Sequence, residues 1–201
     1  GLRVMLLVFV CILIWLPIGV WIGSRPSIAH VLQPIIQFLA ALPVNIFYPF
    51  IFILIIKNKL NVEVWTAPLF ILGMQWYILF NVISGTLNLP AQLQQVVRSL
   101  QIRGLQRWKY YILPGILPDL LTGAMTAAGG AWNASIIAEV VIWQGTTLQA
   151  TGLGAYIAES EHYSRFPELG LGVMVMCFYV LLINRVFWQP LYTLVKRRCS
   201  Y

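Results

Sequence analysis

Two groups of residues in this chain carry polar chemistry in a setting that gives it meaning. The first is Thr126, Asn133, Ser135 and Glu139, set in a small and apolar run from Leu120 to Trp143. A hydroxyl or amide in such a run either bonds a neighbouring helix or offers hydrogen bonds to a passing solute. A carboxylate there is costly and needs a reason. The second group is the basic stretch 89–118, where Arg98, Arg103, Arg107 and Lys109 alternate with apolar residues. A cationic amphipathic segment of this kind suits either an anionic lipid surface or a groove on a protein partner. Neither group is catalytic machinery. The chain has no Gly-x-x-x-x-Gly-Lys-[Ser/Thr] phosphate loop, no His-Glu-x-x-His, no Gly-x-Ser-x-Gly and no cluster of Cys and His. His30 and His162 stand alone. The expectation is therefore a chain that is not an enzyme and holds no cofactor or metal, with any ATP hydrolysed by another chain.

The elements that must position these groups are membrane spans. The chain is 60% hydrophobic and only 9% charged, against about 25% charged residues in soluble domains. So much apolar surface cannot be hidden from water in 201 residues. Five stretches approach the roughly 20 residues a crossing helix needs: Val4–Ile22, Pro34–Ile56, Val62–Gly85, Leu120–Trp143 and Leu169–Trp188. Pro43 and Pro49 predict a kink in the second. Trp15, Trp21, Trp65, Trp76, Trp143 and Trp188 read as interfacial anchors. Cys11 and Cys177 lie in apolar runs and Cys199 in the basic tail, so no disulfide framework is expected. Gly1-Leu2-Arg3 reads as an interior cut, which predicts a longer polypeptide around a single membrane domain over 1–201.

The net charge of +7 sets the orientation rather than pointing to nucleic acid. Five spans place the termini on opposite sides. With the N-terminus outside, the cytoplasmic side receives Arg25, Arg98, Arg103, Arg107, Lys109 and the Lys196-Arg197-Arg198 tail. The outer side receives Arg3, Lys57, Lys59 and Arg165. The loop 87–118 and the C-terminus are then cytoplasmic, and 144–168 is extracytoplasmic. Within 144–168, the glycines at 152 and 154 lead into a predicted short amphipathic helix.

Inside the basic loop, Leu93, Val96, Val97 and Leu100 fall at helical spacing on one face. Gly104 interrupts the pattern, which resumes at Leu105, Trp108 and Ile112, and Pro114 and Pro118 are expected to close the segment. In the fourth span, Asn133 and Glu139 are six apart, about 600° around a helix, so they project on different faces. Glu139 is either a path residue or a cap on a neighbouring helix. Asn133 and Ser135 are neutral donors that suit an anion, or bond between helices. Asn45, Gln75 and Asn81 allow the same two readings.

The end of the basic loop resembles the cytoplasmic coupling loop of binding-protein-dependent ABC importer permeases. That family's pattern is Glu-Ala-Ala, three residues, Gly, nine residues, then Ile-x-Leu-Pro. On this chain the triplet falls on Gln95-Val96-Val97, the glycine on Gln101, and the ending on Tyr111-Ile112-Leu113-Pro114. Spacing and Leu-Pro match; the glutamate, alanines and glycine do not. LQPIIQFLAALPVNIFYP (32–49) resembles nitrate, sulfonate and taurine permeases. AAGGAWNASIIAEVV (127–141) and NRVFWQPLY (184–192) are similar to the C-terminal half of duplicated anion permeases. The resemblance implies an all-α membrane protein with about five transmembrane helices and a coupling loop between the third and fourth. It further implies contacts to an ATP-binding subunit through Gln95, Arg98, Ser99, Leu100, Gln101, Gly104, Leu105 and Arg107. The implied partners are a second permease half, a periplasmic or lipid-anchored substrate-binding protein and membrane lipid, in a prokaryotic inner membrane. The implied cargo is a small anion such as nitrate or a sulfonate. Two other readings predict different features: an ATP-independent transporter or channel would show intramembrane charge pairs or inverted repeats, and a scaffold would leave Asn133 and Ser135 to packing alone.

Overall fold

The computed structural model describes residues 2–58, 61, 64, 66–143 and 146–199; for 45, 52, 141–143, 146–148, 198 and 199 it describes the backbone alone. The side chains of Asn45 and Trp143, and all of Lys59 and Trp65, therefore lie outside the described residues.

Four helices are long and apolar enough to cross a bilayer: α1 (Leu2–Gly23), α4 (Ala67–Leu87), α6 (Gly104–Ala138) and α8 (Phe166–Arg197). Between α1 and α4 come α2 (Pro26–Ala41), a 3-10 turn (Val44–Phe47) and α3 (Tyr48–Asn58). The expected second span is thus broken rather than kinked. Leu42 adopts an extended backbone (ψ 124°) before Pro43, as the proline ring demands of its predecessor. The start of α1 and the start of α4 meet where the Arg3 guanidinium donates to the Thr66 hydroxyl. α1 and α4 therefore run side by side in the same direction, with Gly19 and Gly23 facing Val82 and Thr86.

α1, α4 and α6 form the core. Val4, Leu7, Val8 and Cys11 of α1 share one helix face and lie in one buried cluster with Phe70, Met74 and Ile78 of α4. Small residues let the backbones approach. A Cβ at Gly23 would sit 2.9 Å from the Ile83 carbonyl oxygen, and one at Gly123 would sit 3.0 Å from that of Tyr77. Such contacts are the usual means of helix association where lipid removes any hydrophobic drive. Trp15 and Trp76 meet at 6.3 Å with their rings tilted by 39° and are half-buried, and Trp188 is buried, so of these three Trp188 packs within the protein instead of anchoring it at an interface.

Two expected boundaries differ. The fourth span ends at Ala138, because the β-branched run from Val140 pairs as a hairpin, β1 (Val140–Trp143) against β2 (Thr146–Gln149), with Val140 opposite Gln149. Its start is earlier than expected: Pro114 and Pro118 do not close the basic segment, and α6 runs through both. A π turn at Trp108–Ile112 immediately precedes Leu113-Pro114, and another at Asn184–Trp188 precedes Gln189-Pro190. A proline ring clashes with the carbonyl four residues back, here Tyr110 and Val186. Each of those residues sits within a π turn, whose wider register relieves the conflict.

A candidate coupling surface and a polar helix face

The basic segment folds as α5 (Ala91–Ser99), a four-residue turn (100–103), and the first turns of α6. Its apolar residues divide into two sets. Leu89, Leu93, Val97 and Trp108 pack against the core cluster and hold the segment to the bundle. Val96, Leu100 and Leu105 face outward, Leu100 at 66% and Leu105 at 86% exposure. Gln95, Arg98, Ser99, Gln101 and Gly104 are also exposed, while Arg107 is half-buried. Two large aliphatic side chains left this bare on a fixed helical turn form a pair of knobs without a hole.

The turn between α5 and α6 explains a sequence departure. The Ile102 N–H donates to the Val97 carbonyl at 3.0 Å and the Gln101 N–H to that of Arg98 at 3.0 Å. These two bonds are the Schellman ending of a helix, which puts its C′ residue in the left-handed region. That residue is Gln101, at φ +52°. It is the position where the resembled pattern has glycine, so the backbone geometry persists although the residue that favours it does not. Left-handed backbone costs a side-chain-bearing residue about 1–2 kcal/mol, and a glycine loses about 0.5–1 kcal/mol more on ordering. Gln101→Gly is therefore expected to stabilise the turn by about 0.5–1 kcal/mol, read as slower amide exchange at the end of α5. Faster exchange would contradict the strain assigned to Gln101.

Among the residues expected to line a path, the structure separates two pairs. Thr126 and Asn133, seven apart, both lie exposed on one face of α6. Thr126 Oγ1 donates to the Thr122 carbonyl at 2.9 Å, which leaves its lone pairs outward. The same residue lines a cleft of about 270 Å³ between α6 and α8, together with Gly129, Trp132 and Asn184. Asn184 escaped the sequence reading of the path; its one signal was an amide beside Arg185 in an apolar run. Gln75 and Ser135 are instead buried, Ser135 donating to the Trp132 carbonyl at 2.7 Å.

Glu139 is 7% exposed and accepts a hydrogen bond from the Ala155 N–H at 3.0 Å. It caps α7 (Leu153–His162), whose own N-cap, Gly152, has no side chain to do so. Burial pushes its carboxyl pKa upward, and the Ala155 N–H and the Arg3 charge oppose that shift. The fit is close: a Cβ on Gly154 would lie 2.4 Å from the Ser135 carbonyl oxygen.

Four long apolar helices, a broken apolar segment between α1 and α4 and a two-helix loop leading into the long α6 make the permease fold of ABC importers. The chain superposes on a chain of the methionine ABC transporter MetNI in inward-facing conformations, with a TM-score of 0.72 over 96% of this chain and 91% of that one, at 18% identity. The chain belongs to the family of binding-protein-dependent transport system inner membrane components, whose profile matches residues 15–199. It is 26% identical over 169 residues to a bicarbonate transport system permease of Synechocystis sp., covering 83% of this chain and 56% of that one. It is 23% identical over 182 residues to the taurine transport permease of Escherichia coli, covering 90% and 62%. A putative aliphatic sulfonates permease of Bacillus subtilis is 28% identical over 186 residues, covering 92% and 64%. The chain thus spans less than two thirds of the length of these relatives. It is a multi-pass inner membrane protein.

Proposed function

We propose that this chain is the membrane-spanning permease part of an ABC importer for a small anion. One observation carries the reading: the bare Leu100 and Leu105 side chains stand at the mouth of the helix that bears Thr126 and Asn133 on its exposed face. An ATP-binding subunit docks over Leu100 and Leu105, with Gln95, Ser99, Gln101 and Gly104 around them and Arg98 and Arg107 behind. It hydrolyses the ATP; this chain needs no cofactor. The exposed faces of α4 and α6 meet a second permease half, and the path runs between them past Thr126 and Asn133. The basic loop and C-terminus are cytoplasmic, as the excess of Lys and Arg at that end requires. α7 and the hairpin stand outside, where a substrate-binding protein delivers cargo.

The relatives named for bicarbonate, taurine and sulfonates share an anionic cargo, and the neutral donors of the exposed face suit one. The test is reconstitution of the full-length protein with its ATP-binding subunit in liposomes. ATP-dependent uptake of bicarbonate, nitrate or a sulfonate is the expected result. Uptake that proceeds at the same rate without the ATP-binding subunit would identify a channel or secondary transporter instead.

A further inference from the structure

Arg98 and Arg107 present a problem that the coupling role does not resolve. Both line a cleft of about 550 Å³ between the end of α1 and the basic segment. Both also line an adjoining cleft of about 310 Å³ beside the start of α2. Arg25 borders the first, its guanidinium 4.6 Å from the Trp21 ring. Among the described residues Arg165, between α7 and α8, forms ion pairs with Glu159 of α7 and Glu168 of α8, far from this cleft. The Arg107 Nε is buried with no hydrogen-bond partner. The N-terminus of α2 has no side-chain cap, and its Pro26 borders the smaller cleft. Helix N-termini carry positive partial charge. Like charges converge here with no acid among the described residues to balance them.

The rest of the cleft says what kind of anion fits. Its far wall is apolar: Pro17, Val20, Trp21 and Ile112. Trp21 continues an exposed apolar strip of α1 through Ile18 and Ile14, at helical spacing on one face. A cationic end at the depth where α1 stops, joined to an apolar strip running into the bilayer, matches a phospholipid rather than a free oxyanion. We propose that the wedge between α1 and the basic segment holds one anionic phospholipid, its phosphoryl group between Arg98 and Arg107 and a chain along Ile18 and Ile14. The lipid then ties the end of α1 to the coupling segment. The site needs the membrane setting only, so it stands apart from whether an ATP-binding subunit docks at Leu105.

The test is native mass spectrometry of the full-length protein released from nanodiscs of equal phosphatidylglycerol and phosphatidylcholine. A cation near the membrane surface favours an anionic lipid about fivefold, so two predict about 25-fold enrichment of one bound phosphatidylglycerol. Arg98→Gln with Arg107→Gln is expected to remove that lipid, whereas Arg103→Gln retains it. The wild-type preference is measured without any variant and so does not depend on their folding. No preference in the wild type, or equal loss with Arg103→Gln, overturns the proposal and leaves the arginines to acidic groups of a protein partner. Displacement of the lipid by millimolar inorganic phosphate assigns the charges to a free oxyanion and also overturns it.

Discussion

Leu105→Asp is expected to abolish both retention of the ATP-binding subunit and ATP-dependent uptake, with the amount of membrane-inserted protein unchanged. Leu105 is 86% exposed, so in the isolated chain the substitution removes almost no packing. In a docked complex the same side chain would be buried, at about 1.5–3 kcal/mol of lost burial. An aspartate would add the cost of placing an unpaired charge in the interface, itself several kcal/mol. Together these exceed about 4 kcal/mol, three orders of magnitude in affinity. Leu100→Asp, at 66% exposure, is expected to act in the same direction and somewhat less. Leu93→Asp supplies the contrast: Leu93 packs against the core, so its replacement lowers the amount of folded protein as well. The measurement is pull-down of the ATP-binding subunit beside uptake in proteoliposomes. Intact pull-down with Leu105→Asp would remove the knob from the coupling surface.

The second large effect is structural. Gly154→Val is expected to detach α7 from the end of α6 and lower stability by about 2–4 kcal/mol. The added Cβ meets the Ser135 carbonyl at 2.4 Å, and backbone there cannot swing aside as a side chain can. Overpacking of this kind costs about 1–3 kcal/mol. The Glu139 cap on Ala155 goes with it, at about 1 kcal/mol. Glu139→Gln keeps the shape and one acceptor oxygen, so its expected loss is the smaller, about 1 kcal/mol. Thermal unfolding in detergent ranks the two. Equal losses would mean that the carboxylate charge, not the close backbone approach, holds α7 in place.

The legibility of this chain follows from what its residues interact with. Long crossings could be located from the sequence because lipid imposes one requirement, a long apolar helix, on every span. The break at Leu42-Pro43 was signalled by the proline but not its extent, since a kinked and a broken helix carry the same apolar run and only the extended backbone at Leu42 separates them. The end of α6 was misplaced because Val140 to Trp143 is as apolar as the span before it; its β-branched run was the overlooked sign. Pro114 misled for the opposite reason, as the π turn at Trp108–Ile112 relieves the clash that would otherwise end a helix, and α6 also runs on through Pro118. In the site, periodicity grouped Leu93, Val96, Val97 and Leu100 together. Only tertiary packing separates the residues that grip the bundle from those left bare. For Glu139 both readings were open from spacing alone, and the partner that settles its contact, the Ala155 N–H, is 16 residues away.

α6 has a mechanical consequence. Its 35 residues make a rod about 52 Å long, well beyond the roughly 30 Å of hydrocarbon it must cross. Leu105 rides at one tip, and Asn133 and the cap on α7 lie toward the other. The contact at Gly123, pressed on the Tyr77 backbone, sits near the middle. α4 lies beside it from Gly85 at Asp119 to Gly73 at Ala134, so the two form one stiff member that turns about its middle. Tilting it by about 10° about that point carries each tip of α6 about 4–5 Å in opposite directions, so a thrust on Leu105 is also a displacement of the far rim.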